Sequence, residues 1–270
     1  MLSGLQLENV GVSFETIRAL EDVNLRLGQG EAVALVGLSG AGKTTLLHTC
    51  NAMVSPNTGR VLINGQDLSK LSAKALKVAR MNIGFIHQDL SLVPNLRVIQ
   101  NVVSGRLGKR SLIGGARDLL FPADDVTERV YDILTSVGIA EKIYERTDHL
   151  SGGQQQRVAI ARALFQEPQF LLADEPISSV DPVRAEATIA LLKTLCAERN
   201  ITLLMSLHNL KLATTFFPRL VALREGRIVF DKATDTVLPS ELEDIFDLTE
   251  SSPVSEEASD FEDGLGGRFG

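Results

Sequence analysis

The feature that most constrains the fold is a glycine-rich segment near the start of the chain, Gly37-Leu-Ser-Gly-Ala-Gly-Lys-Thr-Thr45. It follows an apolar run at residues 32–36 and leads into a helical pattern that begins with Leu46-Leu47. The spacing is G-x4-G-K-T, which is typical of a phosphate-binding loop between a strand and a helix. A glycine-rich turn that matches by chance is the alternative, and the strand–loop–helix setting speaks against it. The sequence therefore predicts that a nucleotide binds here.

Each part of this loop has a chemical role in holding a polyphosphate. Glycines let the backbone pass close to the anion, so that consecutive N–H groups and the start of the next helix face it. The amine of Lys43 can reach the β- and γ-phosphates, and the hydroxyl of Thr44 is a ligand for Mg²⁺. We expect nucleotide contacts along the whole loop, from Gly37, Leu38, Ser39, Gly40, Ala41, Gly42, Lys43, Thr44 and Thr45.

Length and hydropathy limit the kinds of protein this chain can be. Its 270 residues can bury a sizeable core, as one large domain or as a domain with a subdomain. The longest apolar runs are of strand length, far below the roughly 20 residues that a membrane-spanning helix needs. The chain does not open on the charged and then apolar segment of a secretion signal. We therefore expect a cytosolic protein.

The acidic residues are concentrated at the end of the chain. Residues 233–267 carry eleven acids and no Lys or Arg, which leaves 27 bases against 23 acids elsewhere. Because the chain outside residues 233–267 is nearly neutral, nothing indicates a surface that binds nucleic acid. Residues 250–270 are rich in Ser, Glu, Asp and Gly, so we expect a disordered acidic tail there. A tail that docks on a partner is the alternative.

The order of the apolar segments indicates an α/β fold. Strand patterns recur at residues 5–10, 23–27, 83–87, 170–173, 201–207, 219–223 and 227–230. Helical patterns lie between the later strands, and such alternation is typical of a parallel sheet with helices on its faces. Residues 89–165 contain helices and loops instead, which indicates an inserted helical subdomain. Within it, residues 104–122 favour a long surface loop or a broken helix.

Two carboxylates follow the apolar strand at residues 170–173. Asp174, at the strand tip, can hold Mg²⁺ through water. The adjacent Glu175 points in a different direction and can orient or deprotonate an attacking water. The alternative is that the two acids are merely solvated groups at the end of a strand. This alternative is less favoured because the same chain carries a phosphate loop.

A second anion-binding pattern is Leu150-Ser-Gly-Gly-Gln154, which runs into a helix. A hydroxyl and two glycines at a helix start suit a phosphate. A chain with one nucleotide loop has no evident need of a second phosphate site. We therefore predict a dimer, in which this segment closes over the nucleotide held by the other subunit.

These motifs, in this order and followed by His208, resemble the ATPase subunit of ABC transporters. The loop corresponds to Walker A, residues 150–154 to the LSGGQ signature, and Asp174-Glu175 to the end of a Walker B strand. The resemblance covers about residues 3–232. It implies a P-loop NTPase fold with a mostly parallel sheet core, an antiparallel β part and an inserted helical subdomain. It also implies one ATPase domain over residues 1–249, with ATP and Mg²⁺ as its ligands.

The resemblance assigns roles to several further residues. Gln88 matches the Q-loop glutamine, which contacts Mg²⁺ and water and signals to the membrane subunit. His208 matches the switch histidine, and Ser179-Val-Asp181 matches the D-loop, with valine where leucine is common. Phe14 matches the position whose ring stacks on adenine, which is more often tyrosine; a core phenylalanine is the alternative.

The implied site has three sets of residues. Glu175, His208 and Lys43 are the expected catalytic residues. Thr44, Gln88 and Asp174 are the expected ligands of Mg²⁺. The expected contacts made in trans to the nucleotide are Ser151, Gly152, Gly153 and Gln154.

A finer resemblance is to ATPases that import phosphonates and related phosphorus oxyanions, such as phosphite and phosphate. Residues 89–108, 171–177, 207–210 and 222–230 carry it. The resemblance implies a homodimer at the cytoplasmic face of the inner membrane, a separate integral membrane permease and an extracytoplasmic substrate-binding protein.

Two alternatives stay open at this point. Importers of amino acids, metal ions and lipoproteins share much of the same sequence, and this subunit never touches the cargo. A non-transport ABC protein acting on ribosomes or DNA is less favoured, because such proteins typically carry two cassettes or a coiled coil and a basic face.

Overall fold

The computed structural model describes residues 4–109, 112–177 and 181–246. Its strands are β1 (Gly4–Phe14), β2 (Ile17–Gly28), β3 (Ala32–Val36), β4 (Thr58–Ile63), β5 (Gln66–Asp67), β6 (Ile83–Ile86), β7 (Phe170–Ala173), β8 (Thr202–Leu207), β9 (Arg219–Arg224) and β10 (Arg227–Ala233). Its α-helices are α1 (Lys43–Cys50), α2 (Ala73–Arg80), α3 (Val98–Ser104), α4 (Leu112–Leu120), α5 (Asp124–Ser136), α6 (Gly152–Phe165), α7 (Pro182–Glu198), α8 (Leu210–Phe216) and α9 (Pro239–Phe246).

A six-stranded sheet with the order β10-β9-β3-β8-β7-β6 forms the centre of the molecule. All its pairs are parallel except β9 with β10. The apolar runs of β7 and β8 are buried along their whole length, as expected for strands covered on both faces. Since the carboxyl ends of parallel strands meet at one edge, the residues that follow β3, β6, β7 and β8 come together.

Both strands that pair with β3 come from the last third of the chain. It pairs with β8 on one side and with β9 on the other. The segment that follows β3, the phosphate loop, is therefore held between strands that start at Thr202 and Arg219.

A second sheet, with the order β2-β1-β4-β5, is antiparallel throughout. Its apolar residues alternate with polar ones and pack with α1 against one face of the central sheet. The predicted antiparallel part is thus present, and the α/β fold class is confirmed.

Helices α3, α5, α6 and α7 pack on the other face of the central sheet. The chain between β6 and β7 contains α3 to α6, in place of a strand. Residues 112–120 form α4, so the described part of the segment 104–122 agrees with a broken helix and not with a long loop. Short helices α2 and α9 had no counterpart in the sequence predictions.

The predicted acidic tail at 250–270 lies outside the described residues. Two positions of the predicted D-loop, Ser179 and Val180, also lie outside them, whereas Asp181 is described and caps α7. Across residues 4–109, 112–177 and 181–246, no helix combines the length and apolar character that a bilayer crossing requires.

Candidate nucleotide site

The phosphate loop lies between the end of β3 and the start of α1, and close packing fixes its shape. Gly42, which precedes α1, has a φ of +104°, a conformation that disfavours a side chain. A Cβ there would also lie 2.5 Å from the carbonyl oxygen of Ala19 on β2. Glycine at this position is therefore required both by the backbone conformation and by the neighbouring strand.

The start of α1 offers donors that fit a polyphosphate. The first N–H groups of a helix have no partner within the helix, and Gly42 provides no side-chain cap for them. The first turn of α1 contains no acidic residue, so the positive end of the helix dipole is not offset. Backbone N–H groups, an ammonium and hydroxyls form a donor set that suits an anion. On this chemistry, the loop fits the phosphates of a nucleotide.

A hollow of about 500 Å³ opens in front of the loop. It is lined by Ile17, Arg18, Ala19, Ser39, Gly40, Gly42, Lys43, Thr44, Thr45, Gln88, Glu175, Glu225 and Gly226. Most of the predicted loop residues thus face one space, together with the Q-loop glutamine and one of the two acids.

Lys43 is the charged centre of this hollow. Its side chain is 5% exposed, and its Nζ donates to the carbonyl oxygens of Gly37 at 3.0 Å and Leu38 at 3.1 Å. The same Nζ lies 3.3 Å from Oε1 of Glu175. Because a buried ammonium needs polar partners, these contacts hold the lysine at the mouth of the loop.

The two acids at the end of β7 differ in their surroundings. Asp174 is buried and its N–H continues the sheet by donating to Ile86 at 2.9 Å. Glu175 turns away, with a φ of +41°, and its Oε2 lies 3.9 Å from Nδ1 of His208. A serine on β8, Ser206, donates to Oδ1 of Asp174 and accepts the N–H of Glu175, both at 2.8 Å. The three predicted catalytic residues, which follow three different strands, therefore lie together.

The predicted magnesium ligands face a second hollow of about 460 Å³, which adjoins the first. Its lining consists of Thr44, His48, His87, Gln88, Asp89 and Asp174, and two of these, Thr44 and Gln88, line both hollows. A hydroxyl, an amide oxygen and a carboxylate are oxygen donors, which Mg²⁺ prefers. The donor set therefore fits this ion.

Two histidines that line the second hollow, His48 and His87, pack against Phe85. The rings of His48 and Phe85 are 5.3 Å apart, and those of Phe85 and His87 are 4.4 Å apart, between centroids. Burial, followed by the positive charge of Arg162, lowers the pKa of His87. The imidazole next to Gln88 is therefore neutral at pH 7.

Phe14 does not line the nucleotide hollow. It ends β1, pairs with Ile17 across the hairpin and is 49% exposed. The wall nearest to it is formed by Ile17, Arg18 and Ala19 at the start of β2. Adenine stacking on Phe14 stays a prediction.

The signature segment lies outside both hollows and begins α6. Ser151 caps this helix by accepting the N–H of Gln154 at 3.4 Å, while Oε1 of Gln154 accepts the N–H of Ser151 at 3.0 Å. A Cβ on Gly152 or Gly153 would meet nothing within 4 Å, so open space lies over this helix start. Its contact with a nucleotide in trans also stays a prediction.

Sequence reasoning missed two residues that support the site. Ser206 is one, and its signal was a hydroxyl inside an apolar strand. Arg162, on α6, is the other: it donates to the carbonyl oxygens of Leu90 at 2.7 Å and Ser91 at 2.5 Å, just after Gln88. It joins the signature helix to the Q-loop.

Comparisons with known proteins agree with this geometry. The family model described as ABC transporter matches residues 20–178. The Phosphonates import ATP-binding protein PhnC of Pseudomonas putida is 40% identical over 251 residues, which are 93% of this chain and 93% of that protein. PhnC 1 of Rhodopseudomonas palustris is 40% identical over 259 residues, 95% of this chain and 91% of the relative. This chain belongs to the ABC transporter ATP-binding family.

Solved structures of ABC cassettes share the fold. A dimeric structure of MJ0796, a bacterial ABC transporter cassette, is 30% identical with a TM-score of 0.74, and the match covers 85% of this chain and 98% of that one. A post-hydrolysis state of the same cassette, bound to ADP and Pi, has a TM-score of 0.72 at 30% identity, with the same 85% and 98% coverage.

The prediction of an ABC transporter ATPase is thus confirmed. The chain is an ATP-binding subunit that hydrolyses ATP in support of transport. Because it is one part of a transporter, it works with partners that are embedded in the membrane.

Proposed function

We propose that this chain powers an importer of phosphonate or a related phosphorus oxyanion, such as phosphite or phosphate. The observation that carries this proposal is the similarity to PhnC proteins, at 40% identity over more than nine tenths of both chains. The cargo passes through a separate integral membrane permease, and an extracytoplasmic substrate-binding protein delivers it. The ATPase is peripheral, at the cytoplasmic face of the inner membrane, and contacts the permease near Gln88.

The working unit is a homodimer with two ATP molecules at its interface. Each ATP lies between residues 37–45 of one subunit and Ser151, Gly152, Gly153 and Gln154 of the other. Two features of the chain support this arrangement: the signature segment is outside the hollow of its own subunit, and open space covers Gly152 and Gly153. The similar cassette MJ0796 is dimeric in its solved structure.

The hydrolysis step is an in-line attack of water on the γ-phosphorus, in which the bond from the γ-phosphorus to the bridging oxygen breaks and ADP leaves. Glu175 orients the water and accepts its proton, while Lys43 and His208 stabilise the negative charge that develops on the phosphoryl oxygens. Thr44, Gln88 and Asp174 would hold Mg²⁺, which would supply positive charge to offset that of the phosphates.

The contact between Lys43 and Glu175 fits this scheme. Nζ of Lys43 lies 3.3 Å from Oε1 of Glu175, so the ammonium assigned to the phosphate and the carboxylate assigned to the attacking water are side by side.

The experiment is reconstitution with the permease and binding protein in proteoliposomes. ATP hydrolysis is measured with phosphonate, phosphite, phosphate or an amino acid supplied to the binding protein. We expect one of the phosphorus oxyanions to stimulate turnover, and we expect the amino acid to have no effect. Stimulation by the amino acid alone would contradict the assigned cargo.

A variant of the same complex tests the hydrolysis mechanism independently of the cargo. Glu175→Gln keeps a hydrogen-bonding side chain but removes the base, so we expect ATP binding and a stable dimer without turnover. Turnover at the parental rate would contradict the role assigned to Glu175.

A further inference from the structure

Ser206 is a polar residue in the interior of the central sheet. It lies on β8 between Met205 and Leu207 and is 0% exposed. Because Ala173 and Met205 are partners in the β7–β8 pairing, the serine comes level with Asp174. A buried hydroxyl can donate one hydrogen bond and accept others, and Ser206 uses both capacities on the two acids.

The backbone at Glu175 explains why the acids need this support. Its φ of +41° is left-handed, which is uncommon for a residue with a side chain. The next residue is Pro176, and a proline disfavours helical conformations in the residue before it. Such a conformation persists where the surroundings hold it, and here the hydroxyl of Ser206 holds the N–H of Glu175.

This turn determines where the Glu175 carboxylate points. With it, Oε1 lies 3.3 Å from Lys43 and Oε2 lies 3.9 Å from His208. The same serine fixes the carboxylate of Asp174 by donating to its Oδ1, on the side chain that lines the second hollow. One hydroxyl therefore constrains both acids.

We propose that Ser206 is a positioning residue that sets the carboxylate of Asp174 for Mg²⁺ and the carboxylate of Glu175 for the attacking water. This inference rests on the roles proposed above for those two acids. Ser206 lines neither hollow, so it acts only through its hydrogen bonds to Asp174 and Glu175.

The same strand provides a matched control. Thr202 also lies on β8 and is 1% exposed. Its hydroxyl accepts the N–H of Gly30 at 2.9 Å and donates to the carbonyl oxygen of Gly28 at 2.8 Å. Ser206→Ala and Thr202→Val thus each remove one buried hydroxyl with two hydrogen bonds, but only the first lies beside the acids.

The test compares these two variants in the full-length protein. Calorimetry with a non-hydrolysable ATP analogue gives nucleotide affinity in EDTA and then the affinity of the complex for Mg²⁺. For Ser206→Ala we expect Mg²⁺ affinity to fall about tenfold to a hundredfold, as is usual when a partner of a metal ligand is lost. Nucleotide affinity in EDTA stays within about twofold, because the phosphate loop is intact. In the ATPase assay kcat falls about as much as Mg²⁺ affinity, and KM for ATP stays nearly constant.

Each other outcome decides against the inference. If Thr202→Val produces the same changes in Mg²⁺ affinity and kcat, the effect is general to buried hydroxyls of this strand. If Ser206→Ala loses nucleotide binding in EDTA, the serine serves folding and not positioning. If Ser206→Ala matches the parent, the hydroxyl has no role.

Glu175→Gln, measured in parallel, separates this inference from the proposed function. Loss of turnover in Glu175→Gln, with an unaltered Ser206→Ala, contradicts only the role of Ser206. Normal turnover in Glu175→Gln contradicts the roles proposed for the acids themselves.

Discussion

The first N–H groups of three helices in this molecule have different surroundings. Helix α5 has Asp124 and Asp125 in its first turn, which offset the helix dipole. Neither α1 nor α6, which carry the two glycine motifs, has an acid in its first turn. These two differ from each other as well, since α1 follows an uncapped Gly42 whereas α6 is capped by Ser151 and Gln154.

This difference affects how each glycine motif can bind a phosphate. The start of α1 is open and has Lys43 beside it, so it can bind an anion within one chain. The start of α6 satisfies its own donors through a capping box, one bond of which is 3.4 Å long. An anion at this helix start would have to replace that bond, and in the proposed dimer it comes from the nucleotide of the partner subunit. Three variants and one labelling experiment test this contrast between α1 and α6.

The largest effect is expected at α1, from Lys43→Ala. We expect nucleotide affinity to fall about a hundredfold, since a hydrogen bond between charged groups contributes roughly 1.5–3 kcal/mol. Equilibrium binding of ATP measures it, with the exposed Lys74→Ala as a control that should bind like the parent. Unaltered binding by Lys43→Ala would mean that α1 is not the phosphate site.

The next effect is expected at α6, from Gly153→Asp. A Cβ fits at this position, so the fold should stay intact. A carboxylate facing the partner's phosphate should lower turnover by at least about tenfold, or roughly 1.4 kcal/mol of like-charge repulsion. Binding of ATP to monomeric protein should stay within about twofold, because α1 is untouched. If monomer binding falls as far as turnover, the two helix starts act in the same subunit and the contrast is wrong.

A smaller effect is expected from removing the cap of α6. Ser151→Ala should lower the free energy of unfolding by about 1 kcal/mol, which is usual for the loss of an N-cap hydroxyl. Urea denaturation without nucleotide measures it. Ser72→Ala, which removes the similar cap of α2, is the matched comparison. If Ser151→Ala loses no stability while Ser72→Ala does, the first N–H groups of α6 are as free of a cap as those of α1.

The smallest change is expected at the far end of α1. Burial raises the pKa of the Cys50 thiol to about 12. A raised pKa keeps the thiol neutral, so the reactive thiolate is scarcer at pH 8 than in an exposed cysteine. Mass spectrometry after treatment with an alkylating reagent should show native protein unmodified at Cys50 and urea-unfolded protein modified. Rapid modification of native protein would mean that the end of α1 opens readily.

Much of the site was predictable because its residues sit at strand ends with strong local patterns. The glycine spacing and the paired acids after an apolar strand are both local signals. The supporting contacts are not local: Ser206 reaches Asp174 across 32 residues, and Arg162 reaches Leu90 across 72. Short helices such as α2 were missed since eight residues carry little periodicity.

The placement of β3 between β8 and β9 has a consequence for synthesis. A nascent chain that ends at residue 200 already contains the phosphate loop, both acids and the signature segment. It lacks both strands that pair with β3 and the turn at Gly226, whose N–H donates to Ala41 within the loop at 3.0 Å. Contacts between such distant parts of a chain form late. We therefore expect the ability to bind ATP to arise only when translation has passed the last hairpin, so that a chain terminated at residue 200 carries these three motifs without the complete site.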